Sequence, residues 1–117
     1  DVVSIHLRLS EQTRGLMDEA KLALMKPTSI LVNTARGAIV DEDALLLALE
    51  TRRIAGAGLD VFITEPLPAG HRFTNLDNVL LSPHVAASTL ETDYAGLEMV
   101  VDNIRNWING TPTNVLA

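Results

Sequence analysis

Hydrophobic residues in this chain occur either in short continuous runs or in longer stretches where they recur every three or four positions. The short runs are rich in β-branched and aliphatic side chains and predict strands at residues 2–7, 29–33, 54–62 and 79–81. The periodic stretches predict amphipathic helices at residues 10–25, 41–52 and 88–109. The pattern therefore predicts strands and helices that alternate along the chain.

Polar residues at the boundaries support these elements. Pro27 disfavours helical backbone in the residue before it and ends the first helix. Asp41 is a typical N-cap for the second. Ser88, with Glu91 three residues later, has the pattern of a capping box that opens the long last helix, and Gly110 closes it.

The alternation of strands and helices predicts an α/β fold with a parallel sheet. The uninterrupted apolar run at residues 29–33 is typical of a strand covered on both faces, so we expect a partial Rossmann-like sheet with helices on both faces and a long C-terminal helix. Ligands of such sheets bind beyond the carboxyl ends of the strands. The polar residues that follow the predicted strands are His6 and Arg8, residues 34–36, 60–65 and 84–87.

Composition narrows the class of protein. The 117 residues are enough for one domain, and the net charge of -6 argues against a nucleic-acid partner. The chain has no cysteine, which excludes disulfides and thiolate metal sites. No apolar run is long enough to span a membrane and no signal-peptide pattern is present, so we expect a cytoplasmic protein with no membrane partner.

Three of the strand-end residues have complementary chemistry. Arg36 offers a planar fork that matches a carboxylate, and a Glu65 carboxylate beside His84 would favour the charged imidazolium, which can give a proton to a carbonyl oxygen. Taken singly, each is as easily a surface arginine, a solvated carboxylate or a structural histidine. Together they supply the cation and the acid that reduction of a 2-keto acid needs, while a nicotinamide would supply the hydride.

Several segments, in this order and spacing, resemble the NAD-binding domain of the D-isomer-specific 2-hydroxyacid dehydrogenase family. They are DVVSIH at 1–6, LMKP at 24–27, NTARG at 33–37 with VDE at 40–42, GLDVF at 58–62 with EP at 65–66, and SPH at 82–84. Trp107 to Gly110 and Asn114-Val115 are similar to the last helix and tail of the family. The resemblance runs through nearly the whole chain and is more specific than any single motif.

The resemblance implies roles for particular residues. Arg36 would bind the substrate carboxylate, His84 would be the acid-base residue, and Glu65 would be the partner of His84. The cofactor would be NAD, with NADP left open. The residues implied to contact it are Arg36, Asp60 and His84 at the nicotinamide, Thr34 and Ala35 at its ribose, Val85, Ala86 and Ala87 beside it, and His6, Leu7, Arg8 and Thr13 on the adenosine side.

The chain also departs from the family pattern. Arg8 stands where the family often has proline, which puts the adenosine contact there in doubt, and Thr28 stands where it often has glycine. Gly56 and Gly58 are not followed by the third glycine of a Gly-x-Gly-x-x-Gly loop. We therefore expect residues 1–117 to be the C-terminal half of an NAD(P)-binding domain, with the glycine-rich loop and the substrate domain outside the chain, and we expect the isolated chain to be inactive.

Two other kinds of site lack their sequence signatures. A serine hydrolase lacks its Gly-x-Ser-x-Gly elbow, and His6, His71 and His84 lack the spacing of metal ligands, so no metal is expected and His71 is interpreted as a solvated loop residue. The competing hypothesis is a catalytically silent association module or a corepressor-like NAD sensor. The substrate among small 2-hydroxy and 2-keto acids stays open, and we expect a homodimer of the full-length parent.

Overall fold

The computed structural model describes residues 1–115, which belong to two compact units, Asp1–Val85 and the segment from Ala86 onward. The elements of the first unit are β1 (Val2–Ile5), α1 (Glu19–Ala23), β2 (Ile30–Asn33), α2 (Glu42–Glu50), β3 (Gly56–Leu59) and β4 (Val79–Leu81), with short 3-10 helices at Gly37–Ile39 and Arg72–Asn75. The second unit contains α3 (Leu90–Ile108).

The four strands of the first unit form one parallel sheet in the order β1-β2-β3-β4. In the register of the sheet, Val3 lies opposite Leu31, Leu31 opposite Ala57, and Ala57 opposite Val79. The α/β fold and the parallel sheet predicted from the sequence are confirmed. Because every strand runs in the same direction, the loops that follow the strands all leave from one edge of the sheet.

Within residues 1–85, helices α1 and α2 lie on the same face of the sheet. The strand order follows the chain, so each crossover moves in the same direction, and a right-handed connection then returns on the same side of the sheet each time. The core accordingly lies on one face, where Leu22 of α1 and Leu45 and Leu49 of α2 pack with Leu31 and Leu59 of the strands. On the opposite face, Ile30 and Leu80 are exposed.

The predicted helix at residues 10–25 is reduced to the five residues of α1. Gly15 has a φ of +62°, a left-handed conformation that interrupts helical backbone, and its N–H bonds to the carbonyl of Ala38. Met17 then pairs with Val40 in a parallel bridge, and Asp18 caps α1 by accepting from the Lys21 N–H. Long-range pairing with the 3-10 segment therefore overrides the local helical pattern.

The other boundaries shift less. The side chain of Asp41 caps α2, as predicted, by accepting a hydrogen bond from the Ala44 N–H. The strand predicted at 54–62 is limited to β3, because only Gly56–Leu59 pairs with its neighbours. Strand β4 forms at the predicted residues.

The N-cap of helix α3 lies one residue later than the predicted cap at Ser88. Its N-cap is Thr89, and Thr92, rather than Glu91, completes the capping box, because the hydroxyl of each threonine meets the backbone N–H of the other. The helix ends before Gly110, as predicted. Within residues 1–115, no helix combines the length and the apolar character that crossing a lipid bilayer requires.

The packing of α2 predicts a contrast between two leucines. Leu49 is fully buried and Leu47 is 50% exposed. Leu49→Ala should lower the free energy of unfolding by about 2–5 kcal/mol, because it leaves a cavity in the core. Leu47→Ala should change it by less than about 1 kcal/mol, since little buried area is lost. Urea unfolding followed by circular dichroism measures both, and similar losses for the two variants would contradict the packing described.

Candidate active site

The loop after β2 is built on the buried side chain of Asn33, which is 1% exposed. Its amide nitrogen donates to the carbonyl of Arg36 at 2.9 Å, and its amide oxygen accepts from the Ala35 N–H at 3.1 Å. These two bonds fold residues 33–36 into a tight bend and bring Arg36 to the surface. Among the described residues, the Arg36 guanidinium donates one hydrogen bond, from Nη1 to the carbonyl of the neighbouring Ala35.

Gly37 allows this loop to press against the segment that leads to Glu65. A Cβ at Gly37 would lie 2.2 Å from the carbonyl carbon of Phe62 and 2.6 Å from the nitrogen of Ile63. Backbone atoms cannot yield to such a clash, so the position requires glycine. The close approach fixes the Arg36 loop relative to the Glu65 loop.

Glu65 is held by a bond to each of its carboxylate oxygens. Oε1 accepts from the Phe62 N–H at 2.8 Å, and Oε2 lies 2.8 Å from Nδ1 of His84. The hydrogen bond from His84, followed by the one from the Phe62 N–H, lowers the pKa of Glu65, and the charge of Arg36 lowers it further. Glu65 is therefore ionised at neutral pH and can only accept hydrogen bonds, so the proton in its contact with His84 belongs to Nδ1.

His84 follows β4 in an unusual backbone conformation, with a φ of 56°. The next residue, Val85, donates its N–H to Oδ1 of Asp60 at 2.9 Å, and Asp60 is 3% exposed. The His84 side chain is 45% exposed, so it reaches solvent while one ring nitrogen is bonded to Glu65. The bond at Nδ1 leaves Nε2 as the nitrogen with which His84 can meet a ligand.

A cleft of about 630 Å³ opens beside this pair. Its walls come from the end of β4 and from the loops after β3 and β4, and they are mostly apolar. They consist of Phe62, Glu65, Pro66, Leu67, Leu81, Ser82, Pro83 and His84. Such a lining, with a few polar groups at fixed positions, is typical of small-molecule sites. The cleft places the two ionisable groups where a small substrate can reach them.

The residues expected on the adenosine side lie beyond the end of β1. His6 and Leu7 contribute to a cavity of about 370 Å³ with Val3, Ser4, Ile5, Leu16, Met17 and Ile39. Nε2 of His6 is 2.8 Å from the Ser4 hydroxyl. Thr13 is occupied within its own turn, where its hydroxyl donates to the Arg8 carbonyl at 2.7 Å, and Arg8 itself is exposed.

Of the remaining predicted residues, Thr34 is exposed and Ala35 is half-buried on the Asn33 bend. Ala86 and Ala87 belong to the second unit, where the Ala87 carbonyl accepts a hydrogen bond from the Thr92 hydroxyl at 2.6 Å. The structure therefore brings Glu65 and His84 into contact, with Arg36 close enough for its charge to act on Glu65.

His71 is not the solvated loop residue that the sequence suggested. Its Nε2 is 3.2 Å from Oε1 of Glu42, its Nδ1 accepts from the Phe73 N–H, and its side chain is 19% exposed. It therefore links the loop after Glu65 to the first turn of α2. In residues 1–115, no group of three or more histidine, cysteine or acidic side chains is placed to hold a metal ion.

Sequence reasoning missed the positioning roles of Asn33 and Gly37. A buried amide at the end of a strand has no periodic signal, although Asn at such a place commonly folds a turn through its own backbone bonds. The signal for Gly37 was its place directly after Arg36, but the atoms that exclude a Cβ come from Phe62 and Ile63, which the sequence alone does not place there.

The chain is similar to several known proteins. The family model described as "D-isomer specific 2-hydroxyacid dehydrogenase, NAD binding domain" matches residues 1–86. A glyoxylate reductase of Aeropyrum pernix is 48% identical over 117 residues, which are 99% of this chain and 35% of that protein. An (S)-sulfolactate dehydrogenase of Chromohalobacter salexigens is 48% identical over 105 residues, which are 90% of this chain and 34% of that protein.

A solved structure is similar over the same region. The D-isomer specific 2-hydroxyacid dehydrogenase from Xanthobacter autotrophicus Py2, in complex with NADPH and MES, is 41% identical and has a TM-score of 0.80. The match covers 97% of this chain and 46% of that one. The chain spans about a third of the length of the curated relatives it matches.

The contact between Glu65 and His84 predicts that the pKa of Glu65 changes when His84 is replaced. His84→Ala should raise the pKa of Glu65 toward its ordinary value, because it removes the largest cause of the lowering, while the Phe62 N–H should keep part of it. Since the folded pKa of Glu65 is depressed, the stability it contributes is present above the pKa of the unfolded chain and is lost as pH falls through the lowered folded value. NMR titration of the Glu65 carboxyl carbon measures this pKa in both proteins.

Glu91 provides the internal control. A hydrogen bond from its own backbone N–H and one from the Thr89 side chain lower its pKa, and His84 makes no contribution. Its titration should be the same in both proteins. An unchanged Glu65 titration in His84→Ala would show that the hydrogen bond does not exist in solution.

Proposed function

This chain belongs to the D-isomer specific 2-hydroxyacid dehydrogenase family. We propose that it supplies the catalytic side chains of an enzyme that transfers a hydride between NAD(P)(H) and a 2-hydroxy acid or 2-keto acid. One observation carries the proposal beyond family membership. Glu65 and His84 form a charge-assisted pair at the rim of an open cleft, and the charge of Arg36 acts on the same carboxylate.

The residues expected on the adenosine side fit such a cofactor. The cavity beyond β1 is lined by Ile5, Leu7, Leu16 and Ile39, which suits a flat aromatic ring, and His6 adds a polar group. The sequence offers no Gly-x-Gly-x-x-Gly loop for a pyrophosphate. When bound, the nicotinamide would supply the hydride, and the residues of this chain would orient the substrate and handle the proton.

In the reduction direction, Arg36 binds the carboxylate of the keto acid through two parallel hydrogen bonds and so fixes the orientation of the carbonyl. His84, protonated on both nitrogens, gives the Nε2 proton to the keto oxygen as the alcohol forms. Glu65 keeps its bond to Nδ1 throughout and stabilises the imidazolium before the proton leaves. In the oxidation direction, the same nitrogen takes the proton back.

The place of this chain in the full-length protein follows from the match to the NAD-binding domain of the family and from the greater length of the relatives. We propose that residues 1–117 are the C-terminal half of its NAD(P)-binding domain and that a glycine-rich loop and a substrate domain complete the site. The NADPH complex of the Xanthobacter relative supports binding of NAD(P) in general. Dimerisation of the full-length protein and its location in the cytoplasm stay predictions, to be tested by light scattering and by fractionation.

The alternative, a catalytically silent association module or NAD sensor, is less well supported. A module that only binds NAD has no need of a glutamate and a histidine paired at a cleft, with an arginine whose charge acts on the glutamate. The relatives at 48% identity are described as a reductase and a dehydrogenase. These observations favour the oxidoreductase.

A charge-conserving change at Arg36 tests the proposal. In the full-length protein, Arg36→Lys should lower kcat/KM for a keto acid such as glyoxylate by roughly 10- to 100-fold, because lysine cannot form the bidentate contact. The Kd for NADH should change little. Initial rates of NADH and NADPH oxidation over a series of keto acids give these constants and also identify the preferred cofactor and substrate.

The matched control is Arg72→Lys. Arg72 makes an exposed bidentate pair with Glu50 and, unlike Arg36, is not among the charges that lower the pKa of Glu65. It should leave kcat/KM unchanged, since surface pairs contribute little. Equal activity in Arg36→Lys and wild type would refute the carboxylate-binding role, and a wild-type protein that reduces none of the acids would refute the proposed function.

A further inference from the structure

The bend that carries His84 is held from both sides by one buried oxygen. Besides accepting from the Val85 N–H, Oδ1 of Asp60 accepts a hydrogen bond from the Ser82 hydroxyl at 2.6 Å. This short distance is typical of a hydroxyl that donates to an ionised carboxylate. Ser82 and Val85 stand immediately before and after Pro83 and His84, so the same oxygen fixes where the bend begins and where it ends.

The backbone of His84 needs such support. Its φ of 56° lies in the left-handed region, which residues with a Cβ rarely adopt unless their surroundings impose it. If the bend relaxed, the imidazole would move away from the oxygen of Glu65, which lies 2.8 Å from Nδ1. The geometry of the proton donor therefore depends on the residues that hold the two ends of the bend.

We propose that Ser82 is a positioning residue for His84. Its hydroxyl holds the Asp60 carboxylate in the orientation that binds the Val85 N–H, and this keeps the His84 imidazole on Glu65. The inference rests on the proposed function, in which His84 moves the proton. Ser82 also lines the cleft, but its one hydroxyl proton is given to Asp60, so it acts through Asp60 and not on the substrate.

Ser82 is the informative position to change. Asp60 is itself expected to contact the nicotinamide, so substitution of Asp60 would remove two roles at once. Ser82→Ala removes only the hydroxyl, and Ser82→Thr keeps it. Ser29→Ala is the control for the loss of a serine hydroxyl, because Ser29 is buried but stands just before β2, at the amino end of the sheet.

In the full-length protein, Ser82→Ala should lower kcat for keto-acid reduction by about tenfold or more, because a displaced acid loses its alignment with the reacting oxygen. KM for the keto acid and Kd for NADH should change little. Ser82→Thr should restore most of kcat, and Ser29→Ala should match the wild type. Wild-type kcat in Ser82→Ala, or a loss that Ser29→Ala shares, would overturn the proposal.

An NMR measurement separates this proposal from the proposed function. In the unliganded protein, Ser82→Ala should shift the Val85 amide proton upfield and move the ring ¹⁵N signals of His84 toward those of a free imidazole. Those shifts in a protein that reduces no keto acid would support the positioning role while refuting the proposed function. Unchanged signals for both residues would overturn the positioning role.

If Ser82→Ala fails to fold, Ser82→Cys provides the test, because a thiol fills the same space and is a weak donor. Its kcat should be lower than that of the wild type, with Kd for NADH unchanged. A cysteine variant with wild-type kcat and wild-type His84 signals would overturn the proposal.

Discussion

The hydrogen bond between Glu65 and His84 joins two loops that are 19 residues apart in sequence, and it exists because parallel strands end at a common edge. Strand β3 leads into the Glu65 loop and β4 into the His84 bend, and these two strands are neighbours in the sheet. Strand β2, on the other side of β3, leads into the Arg36 loop. The order of the strands therefore brings the Arg36 cation, the Glu65 carboxylate and the His84 imidazole to the same edge of the sheet.

Beneath this edge, buried polar side chains convert proximity into fixed geometry. Asn33 folds the Arg36 loop and Asp60 holds the His84 bend, and both are almost fully inaccessible to solvent. Buried polar groups carry a large cost unless they are bonded, and here their bonds go to the backbone of the loops that hold functional residues. The exposed residues can then reach a substrate while their supports stay rigid.

The strand and helix order, the parallel sheet and the strand-end location of the site could be predicted from the sequence, because they depend on local periodicity and on a general rule for parallel sheets. The family resemblance added the roles of Arg36, Glu65 and His84. What could not be predicted depends on contacts between distant segments. Met17 pairs with Val40, which shortens α1. The backbone of Phe62 leaves no room for a Cβ at Gly37.

The most direct test of this account is the protonation of the His84 ring at neutral pH, read from ¹H–¹⁵N NMR spectra of the imidazole. Nδ1 should carry a proton that is shifted downfield by its bond to the Glu65 carboxylate, and Nε2 should be the nitrogen that exchanges its proton with solvent. A neutral ring with its proton on Nε2 and a bare Nδ1 would contradict this prediction, because Glu65 would then neither orient His84 nor stabilise its charged form.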